Sequence, residues 1–270
     1  MRSSAAIAIL LLCTSSSLAQ QNKKFLPGCP LPSALAGVAR TTFDNTCGIK
    51  GASTVASKIA ESRAKNNFCV APPAVDITYD TLKELQQAVG PHDPDLGNSE
   101  NPSRPSHAYA VTAGSFQEGQ LVRLAAFVHL AKYSNTGKKK DGTGGENVNC
   151  DRPGKPPNDL HIVLVPAPNK VEAESVTAEV SPHFRPVEWT DDNLNHFHDH
   201  LFRFTGQLFL DTSHTACGPG SPKGCVPKRI SVWEVHPVYA IEICESTDAS
   251  TCQPNATNGW VSLEEFLATD

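Results

Sequence analysis

The sequence predicts a mainly β fold, with a small helical unit before the strands and one short helix after them. Two patches carry most of this prediction: Asn-Asp-Leu-His-Ile-Val-Leu-Val at 158–165 and Ile-Ser-Val-Trp-Glu-Val-His-Pro-Val at 230–238. Both are rich in β-branched residues, which favour strands. Apolar residues at helical spacing are concentrated before residue 90.

The first 19 residues have the pattern of a secretory signal peptide. An apolar run at 5–12 is followed by small residues, and Ala19 stands at the expected cleavage position. We therefore expect a mature chain that starts at Gln20. Lipidation at Cys13 is the alternative, but a bulky leucine precedes it directly. The run is too short for a transmembrane helix, which needs about 20 apolar residues.

Residues 20–90 predict a small helical unit. Apolar residues recur at helical spacing within 51–68 and again within 81–89. Thr81 and Glu84 are spaced as a capping box, which predicts a helix start there. Because the unit has little apolar area, we expect it to pack against a larger one.

Four prolines among polar residues predict a linker at 91–106, and residues 107–270 then form the β domain. The predicted strands lie at 109–113, 120–133, 159–165, 174–181, 201–211, 229–236 and 238–244. Between the third and fourth principal strands we expect a helix with Thr190 as its N-cap and Leu194, Phe197 and Leu201 on one face. A last short helix is predicted within 260–268, with Ser262 and Glu265 as its capping box.

The order of three strands, a helix and two further strands, with a long first strand, resembles the OB-fold. This is a small five-stranded Greek-key barrel, and the resemblance covers 107–245. The His-Ile-x-Leu patch, the Thr-Ala-Glu-Val strand and the Trp-Glu-Val-His-Pro-Val motif are similar to those of an uncharacterised group of exported bacterial proteins. That similarity implies no activity.

Eight cysteines remain once the signal peptide is removed. They are Cys29, Cys47, Cys69, Cys150, Cys217, Cys225, Cys244 and Cys252. An even number in an exported chain predicts disulfides, and the lack of any Cys-x-x-Cys pair disfavours a thiolate zinc site. Three cysteines precede the linker and five follow it, so complete pairing requires an odd number of bridges between the two parts.

The two patches also nominate a polar site. On a strand, Asp159 and His161 share one face, and Glu234 and His236 share another. With Glu179 they could gather on the outer surface of the barrel, where neighbouring strands meet. Two histidines with carboxylates suit zinc or another divalent ion, so we expect His161, Glu179 and His236 as ligands and Glu234 and Asp159 as acid–base groups. The alternative is a set of ordinary hydrogen-bonded residues on a sheet face.

A second candidate metal cluster lies on the predicted helix. His196 and His200 are four residues apart, and Asp192 lies one turn earlier. The segment lacks the internal Glu of the His-Glu-x-x-His motif, so a solvated polar helix face is the alternative.

Composition narrows the function classes. A chain with a formal net charge of −5 is not attracted to nucleic acid in the way that non-specific binding requires. No nucleophile elbow of the Gly-x-Ser-x-Gly type occurs, which disfavours a serine hydrolase. Two functions remain: an exported binding protein for a carbohydrate, peptide or cell-envelope partner, and a metal-dependent hydrolase of the nuclease or phosphoesterase class. The sequence favours the first, in the periplasm or the medium, and leaves open whether the protein is an enzyme.

Overall fold

The computed structural model describes Phe25, Cys29, residues 47–89 and residues 112–269. The signal peptide predicted at 1–19 and the linker predicted at 91–106 lie outside the described residues. Their boundaries therefore stay predictions.

Five strands close into a barrel. The strands of the described residues are β1 (Val75–Ile77), β2 (Thr112–Ala113), β3 (Phe116–Gln117), β4 (Leu121–Tyr133), β5 (Leu160–Val165), β6 (Val176–Val180), β7 (Leu201–Leu210), β8 (Trp233–Cys244) and β9 (Trp260–Ser262). The barrel order is β4-β5-β6-β8-β7, and β7 pairs back with β4. All these neighbours are antiparallel except β6 and β8. The predicted fold class, an OB-like five-stranded barrel, is confirmed.

The helices of the described residues are α1 (Ala56–Lys65), α2 (Tyr79–Val89), α3 (Asp191–His196) and α4 (Leu263–Thr269). Both predicted caps of the later helices are present: Thr190 accepts from the Asn193 N–H, and Ser262 and Glu265 bond each other's backbone. None of the helices in the described ranges is long and apolar enough to cross a bilayer.

Two helix boundaries differ from the prediction. The capping box at Thr81 is wrong, because α2 starts earlier and the Thr78 hydroxyl accepts from the Thr81 N–H. The helical face reaching Leu201 is also wrong, since α3 ends at His196. Leu201 instead begins β7, where it lies opposite Phe127 of β4. Strand pairing thus overrides the helical spacing there.

The helical unit and the barrel share one hydrophobic core. Leu82 and Leu85 of α2 belong to the same buried cluster as Trp233 of β8. The Trp233 indole N–H also donates to the Leu85 carbonyl, at 3.3 Å. The helical unit, which has little apolar area of its own, therefore packs against the barrel, as we expected.

Four disulfides use all eight predicted cysteines. Cys29–Cys69, Cys217–Cys225 and Cys244–Cys252 each lie within one part of the chain, and Cys47–Cys150 joins the two parts. The prediction of an odd number of joining bridges is confirmed. A bridge over 103 residues restricts the unfolded chain and stabilises the fold by roughly 3–5 kcal/mol.

Strand β7 lies very close to β8 at Gly206, and the next residue of β7 forms a hydrogen bond with α1. A Cβ on Gly206 would lie 2.5 Å from the Pro237 carbonyl oxygen, so only glycine fits there. The next residue, Gln207, donates from Nε2 to the carbonyls of Ala64 (2.7 Å) and His236 (2.8 Å). The end of α1 is thereby held beside His236.

Candidate functional site

The predicted polar residues meet where β5, β6 and β8 pair. His161 of β5 lies directly opposite Glu179 of β6, because the two strands are antiparallel in that register. Glu234 and His236 lie on β8, which runs parallel to β6 on its other side. Asp159 stands immediately before β5. The strand order therefore brings all five residues into one region.

Three of these side chains form a compact group. Asp159, Glu179 and His236 each offer one ligand atom, and the three atoms lie within 4.8 Å of one another. Glu179 Oε2 is 2.6 Å from His236 Nδ1, and Asp159 Oδ2 is 3.7 Å from His236 Nε2. Within the described residues this is the only such group of His, Cys, Asp or Glu side chains. We refer to it as the buried triad.

Two atoms of the buried triad lack hydrogen bonds among the described residues. These atoms are Asp159 Oδ2 and His236 Nδ1. The Asp159 and His236 residues are each only 1% exposed, so water does not replace the missing partner at the surface. The other oxygen of Asp159, Oδ1, accepts from Asn149 Nδ2 at 3.0 Å. Other buried residues, such as Asn66 and Thr212, also have unpaired polar atoms, so it is the grouping of three ligand-type side chains that points to a ligand here.

The ionisation of the buried triad follows from its burial. Burial raises the pKa of Asp159 well above its ordinary value, and the Glu146 and Glu179 carboxylates add to the effect. Burial lowers the pKa of His236 below its ordinary value, although Glu179 opposes this. A neutral imidazole is the form that binds metals.

His161 lies beside the buried triad rather than in it. Its Nε2 is 3.0 Å from Glu146 Oε1, and its Nδ1 is 2.9 Å from Glu179 Oε1. Burial alone would lower the pKa of His161, but Glu179 and Glu146 outweigh burial and raise the pKa well above its ordinary value. Both ring nitrogens therefore carry protons that face carboxylates, and neither is available to a metal in this arrangement.

Glu234, the predicted base, is held by an arginine. Its Oε1 accepts from Arg229, and its Oε2 lies 4.0 Å from His236 Nδ1. Arg229 also donates to Asp211 Oδ2 at 2.6 Å, so one buried guanidinium bridges two carboxyl groups. Burial raises the pKa of Glu234 well above its ordinary value, Glu179 adds to this, and Arg229 opposes it.

The site is buried, which corrects the expectation of an outer-surface location. Lys65 at the end of α1 places its Nζ 3.4 Å from Glu179 Oε2, and the loop before β5 contributes Glu146 and Asn149. Together α1 and this loop cover the part of the barrel surface that carries the site. Burial lowers the pKa of Lys65, but the Glu179 and Glu146 carboxylates outweigh it and raise the pKa well above its ordinary value.

A cavity of about 250 Å³ adjoins the site. It is bordered by His161, Glu146, Lys65, Glu234 and Glu179 among others. Glu179 is the member of the buried triad that faces it. An ion at the triad would therefore be reached past the Glu179 carboxylate.

The sequence reasoning missed five residues of the site, namely Lys65, Glu146, Asn149, Asp211 and Arg229. Lys65 lies on α1 and the other four lie outside the strands, although Asp211 and Arg229 fall at the ends of the predicted strands 201–211 and 229–236. A terminal position gave no reason to place either side chain in the site. Only Asn149 had a signal, since it directly precedes a cysteine that had to be bridged.

The second candidate cluster is not assembled. Asp192 and His196 are exposed, and α3 ends at His196, so His200 is not on the helix. The Nδ1 atom of His200 lies instead 2.8 Å from the Cys244 carbonyl oxygen.

In comparisons with known proteins, no family model, no curated protein and no solved structure matches this chain. The resemblance to exported bacterial proteins therefore depends on the sequence patches alone, and the assignment of function depends on the geometry of the site.

Proposed function

We propose that this chain is an exported, disulfide-bonded OB-like binding protein whose ligand is a divalent cation, held by Asp159, Glu179 and His236. The carrying observation is the buried triad itself, in which three side chains each offer one ligand atom within 4.8 Å of the others. Two of its atoms, Asp159 Oδ2 and His236 Nδ1, have no hydrogen bond among the described residues. A buried polar atom without a partner costs about 1–3 kcal/mol, and a cation held by the triad would give such an atom a partner.

The contact between Glu179 and His236 places two candidate ligands side by side, with Glu179 Oε2 2.6 Å from His236 Nδ1. Two ligands of one zinc ion lie roughly 3 Å apart, so a small outward shift of the two side chains would let both bind one ion.

The balance of charge is the second support. Acidic groups outnumber basic ones around the triad, and buried charges need partners. The carboxyl groups belong to Glu146, Asp159, Glu179, Asp211 and Glu234. Glu146 and Glu179 act on Asp159, and Glu179 and Asp211 act on Glu234. Against them stand Lys65, Arg229 and the His161 ring between its two carboxylates. The raised pKa values of Asp159 and Glu234 favour their neutral forms when no ion is bound. If a divalent cation displaced those protons, all five carboxyl groups would be ionised and its charge would neutralise the excess of two.

The donor set limits the identity of the ion. Carboxylates suit Mg²⁺, Ca²⁺ and Mn²⁺, whereas imidazole suits Zn²⁺ and Fe²⁺. Two carboxylates with one imidazole favour Mn²⁺ or Zn²⁺, which bind both kinds of ligand. Protein atoms bind zinc at about 2.0–2.2 Å, a spacing that small shifts of the three side chains would reach.

Export is part of the proposal. Four disulfides are typical of an oxidising compartment, which agrees with the signal-peptide pattern at 1–19. Among the described residues, nothing favours a carbohydrate, a peptide or a cell-envelope component over the others. The cation is therefore the ligand that we propose.

The hydrolase alternative lacks a supporting observation in the described residues. A general base must reach a metal-bound water. Glu234 is bound by Arg229, and Asp159 belongs to the triad itself. We therefore propose binding rather than hydrolysis.

Calorimetric titration of chelator-treated protein with Zn²⁺, Mn²⁺, Mg²⁺ and Ca²⁺ tests the proposal. We expect one Mn²⁺ or Zn²⁺ per chain, and no measurable binding by His236→Ala. His196→Ala, which changes an exposed histidine, is the control and should bind like the wild type. Equal affinity of the wild type and His236→Ala would exclude the triad as the site.

A further inference from the structure

One loop residue fixes the orientation of an Asp in the buried triad. Asn149 is fully buried, and its Nδ2 donates to Asp159 Oδ1 at 3.0 Å. This bond leaves Asp159 Oδ2 on the side of His236, 3.7 Å from its Nε2. Without the amide donor, the carboxylate could rotate and withdraw Oδ2 from the triad. Asn149 is thus a positioning residue for the proposed cation ligand.

The position of Asn149 depends in turn on a disulfide. Cys150 follows it directly and is bonded to Cys47. Asn149 ends a short turn that begins at Asn147, and the Asn147 carbonyl accepts from the Ala52 N–H at 2.9 Å. The segment that carries Cys47 therefore packs along the turn, and the disulfide is its covalent attachment.

The fit between these two segments is tight. A Cβ on Gly51 would lie 2.7 Å from both the Asn147 carbonyl oxygen and the Ser62 hydroxyl oxygen. Gly51, in the Cys47 segment, therefore lies against both the turn and α1, whose last residue is Lys65. A break at the disulfide would loosen the contact that keeps the turn, and with it Asn149, in place.

We infer that the Cys47–Cys150 disulfide sets the affinity of the triad for its cation, because it holds Asn149 against Asp159. This inference rests on the proposed function. Both cysteines are half-buried, so a reductant can reach the bond. A trialkylphosphine cleaves it by a two-electron reduction: two thiols form, and the phosphine becomes its oxide with an oxygen atom from water. The oxidised protein is then the tight-binding form and the reduced protein the weak one.

Mn²⁺ is the suitable probe. It prefers oxygen and nitrogen ligands, so the thiols that reduction creates do not compete for it as they would for Zn²⁺. Loss of a group that orients a metal ligand weakens metal binding by about 10–100-fold. We expect a change of this size in the Kd for Mn²⁺ when the disulfide is absent.

Three variants are compared with the wild type by titration with Mn²⁺. Cys47→Ser/Cys150→Ser removes the bridge, and Asn149→Ala keeps the bridge but removes the amide. Cys217→Ser/Cys225→Ser, which removes a bridge on another loop, is the matched control. We expect the first two variants to lose about 10–100-fold in affinity and the control to bind as the wild type does. Melting temperatures of the metal-free proteins show whether affinity merely follows stability.

A combined variant tests whether the disulfide acts through the amide. If it does, adding Asn149→Ala to the bridge variant causes little further loss of Mn²⁺ affinity, because the two changes remove the same restraint. Additive losses would contradict that route. The inference would also be overturned if the Mn²⁺ affinity of every variant, including the control, fell in proportion to its melting temperature.

The outcomes separate the two proposals. A wild type that binds none of the four divalent ions overturns the proposed function. A wild type that binds Mn²⁺, with bridge and Asn149→Ala variants that bind it equally well, overturns this inference alone. If the bridge variant does not fold, the titration of Asn149→Ala decides alone, and unchanged affinity there overturns the inference.

Discussion

The Glu179 carboxylate lies 2.6 Å from His236 Nδ1, and this contact joins β6 to β8 inside the covered face of the barrel. Its other oxygen lies 2.9 Å from His161 Nδ1 on β5. One carboxylate therefore connects three neighbouring strands through two histidines of different exposure: His236 is buried, and the His161 side chain is 21% exposed.

The two histidines should differ in their effect on cation binding. We expect His236→Ala to abolish Mn²⁺ or Zn²⁺ binding, because it removes a ligand. His161→Ala should weaken binding by about tenfold, since His161 acts only by orienting Glu179. Calorimetric titration measures both. The opposite ranking would show that His161 turns toward the ion and is itself a ligand.

The buried ion pair of Arg229 and Asp211 should contribute strongly to stability. Their side chains are 3% and 4% exposed. Asp211→Asn therefore removes one of the two negative charges that balance the buried Arg229 guanidinium. We expect a loss of about 3–5 kcal/mol in the free energy of unfolding, measured with urea. Asp76→Asn breaks the more exposed pair with Arg123 and should cost about 0–1 kcal/mol. Similar losses in the two variants would contradict the prediction.

Glu146 should make the metal-free protein sensitive to acid. Burial alone would raise the pKa of Glu146, but the hydrogen bond from His161 and the charge of Lys65 outweigh it and lower the pKa from its ordinary value of 4.5 to about 2. The unfolded chain therefore takes up this proton first as the pH falls. The stability due to the ionised form is fully present above about pH 4.5 and is lost as the pH falls toward 2.

Urea unfolding between pH 5 and 2.5 measures this effect, because the range runs from above the ordinary pKa of Glu146 toward its lowered value. Glu146→Gln should be less stable than the wild type at pH 5, and the difference should shrink as the pH falls. A constant difference across the range would show that Glu146 is not the group that titrates.

Gly206→Ala should destabilise the barrel at the approach of β7 to β8. The added Cβ would meet the Pro237 carbonyl oxygen at 2.5 Å and Val235 Cγ1 at 2.7 Å, and backbone cannot move aside as a flexible side chain can. We expect a loss of about 1–3 kcal/mol, seen as a lower Tm. The control is Gly137→Ala, because nothing lies within 4 Å of a Cβ at that exposed loop position. A control that falls as far as the variant would argue against steric crowding.

The site residues that lie on strands could be predicted from the sequence. Alternation along a strand and the predicted strand order together explain why His161, Glu179, Glu234 and His236 meet. The residues that cover the site could not be predicted in this way. Lys65 is separated from Glu179 by 114 positions, and a contact of that kind depends on how α1 docks, which no local pattern encodes. The burial of the site was missed for the same reason.

At the end of α3, a local sequence pattern predicts helix where the structure has none. The spacing of Leu194, Phe197 and Leu201 is helical, yet the chain leaves the helix after His196. Leu201 pairs with Phe127 in a strand, and Phe197 packs edge-on against Phe266 of α4 at 5.1 Å between ring centroids. Pairing partners distant in sequence decide the outcome there.

The Cys47–Cys150 bond has a topological consequence for proteolysis. Among the described residues, it is the one bridge that joins the chain before residue 90 to the chain after residue 111. A single peptide-bond cut between residues 89 and 112 would therefore yield two fragments that migrate together under non-reducing conditions. They would separate only after the disulfide is reduced, so a nicked protein would pass for an intact one wherever no reductant is present.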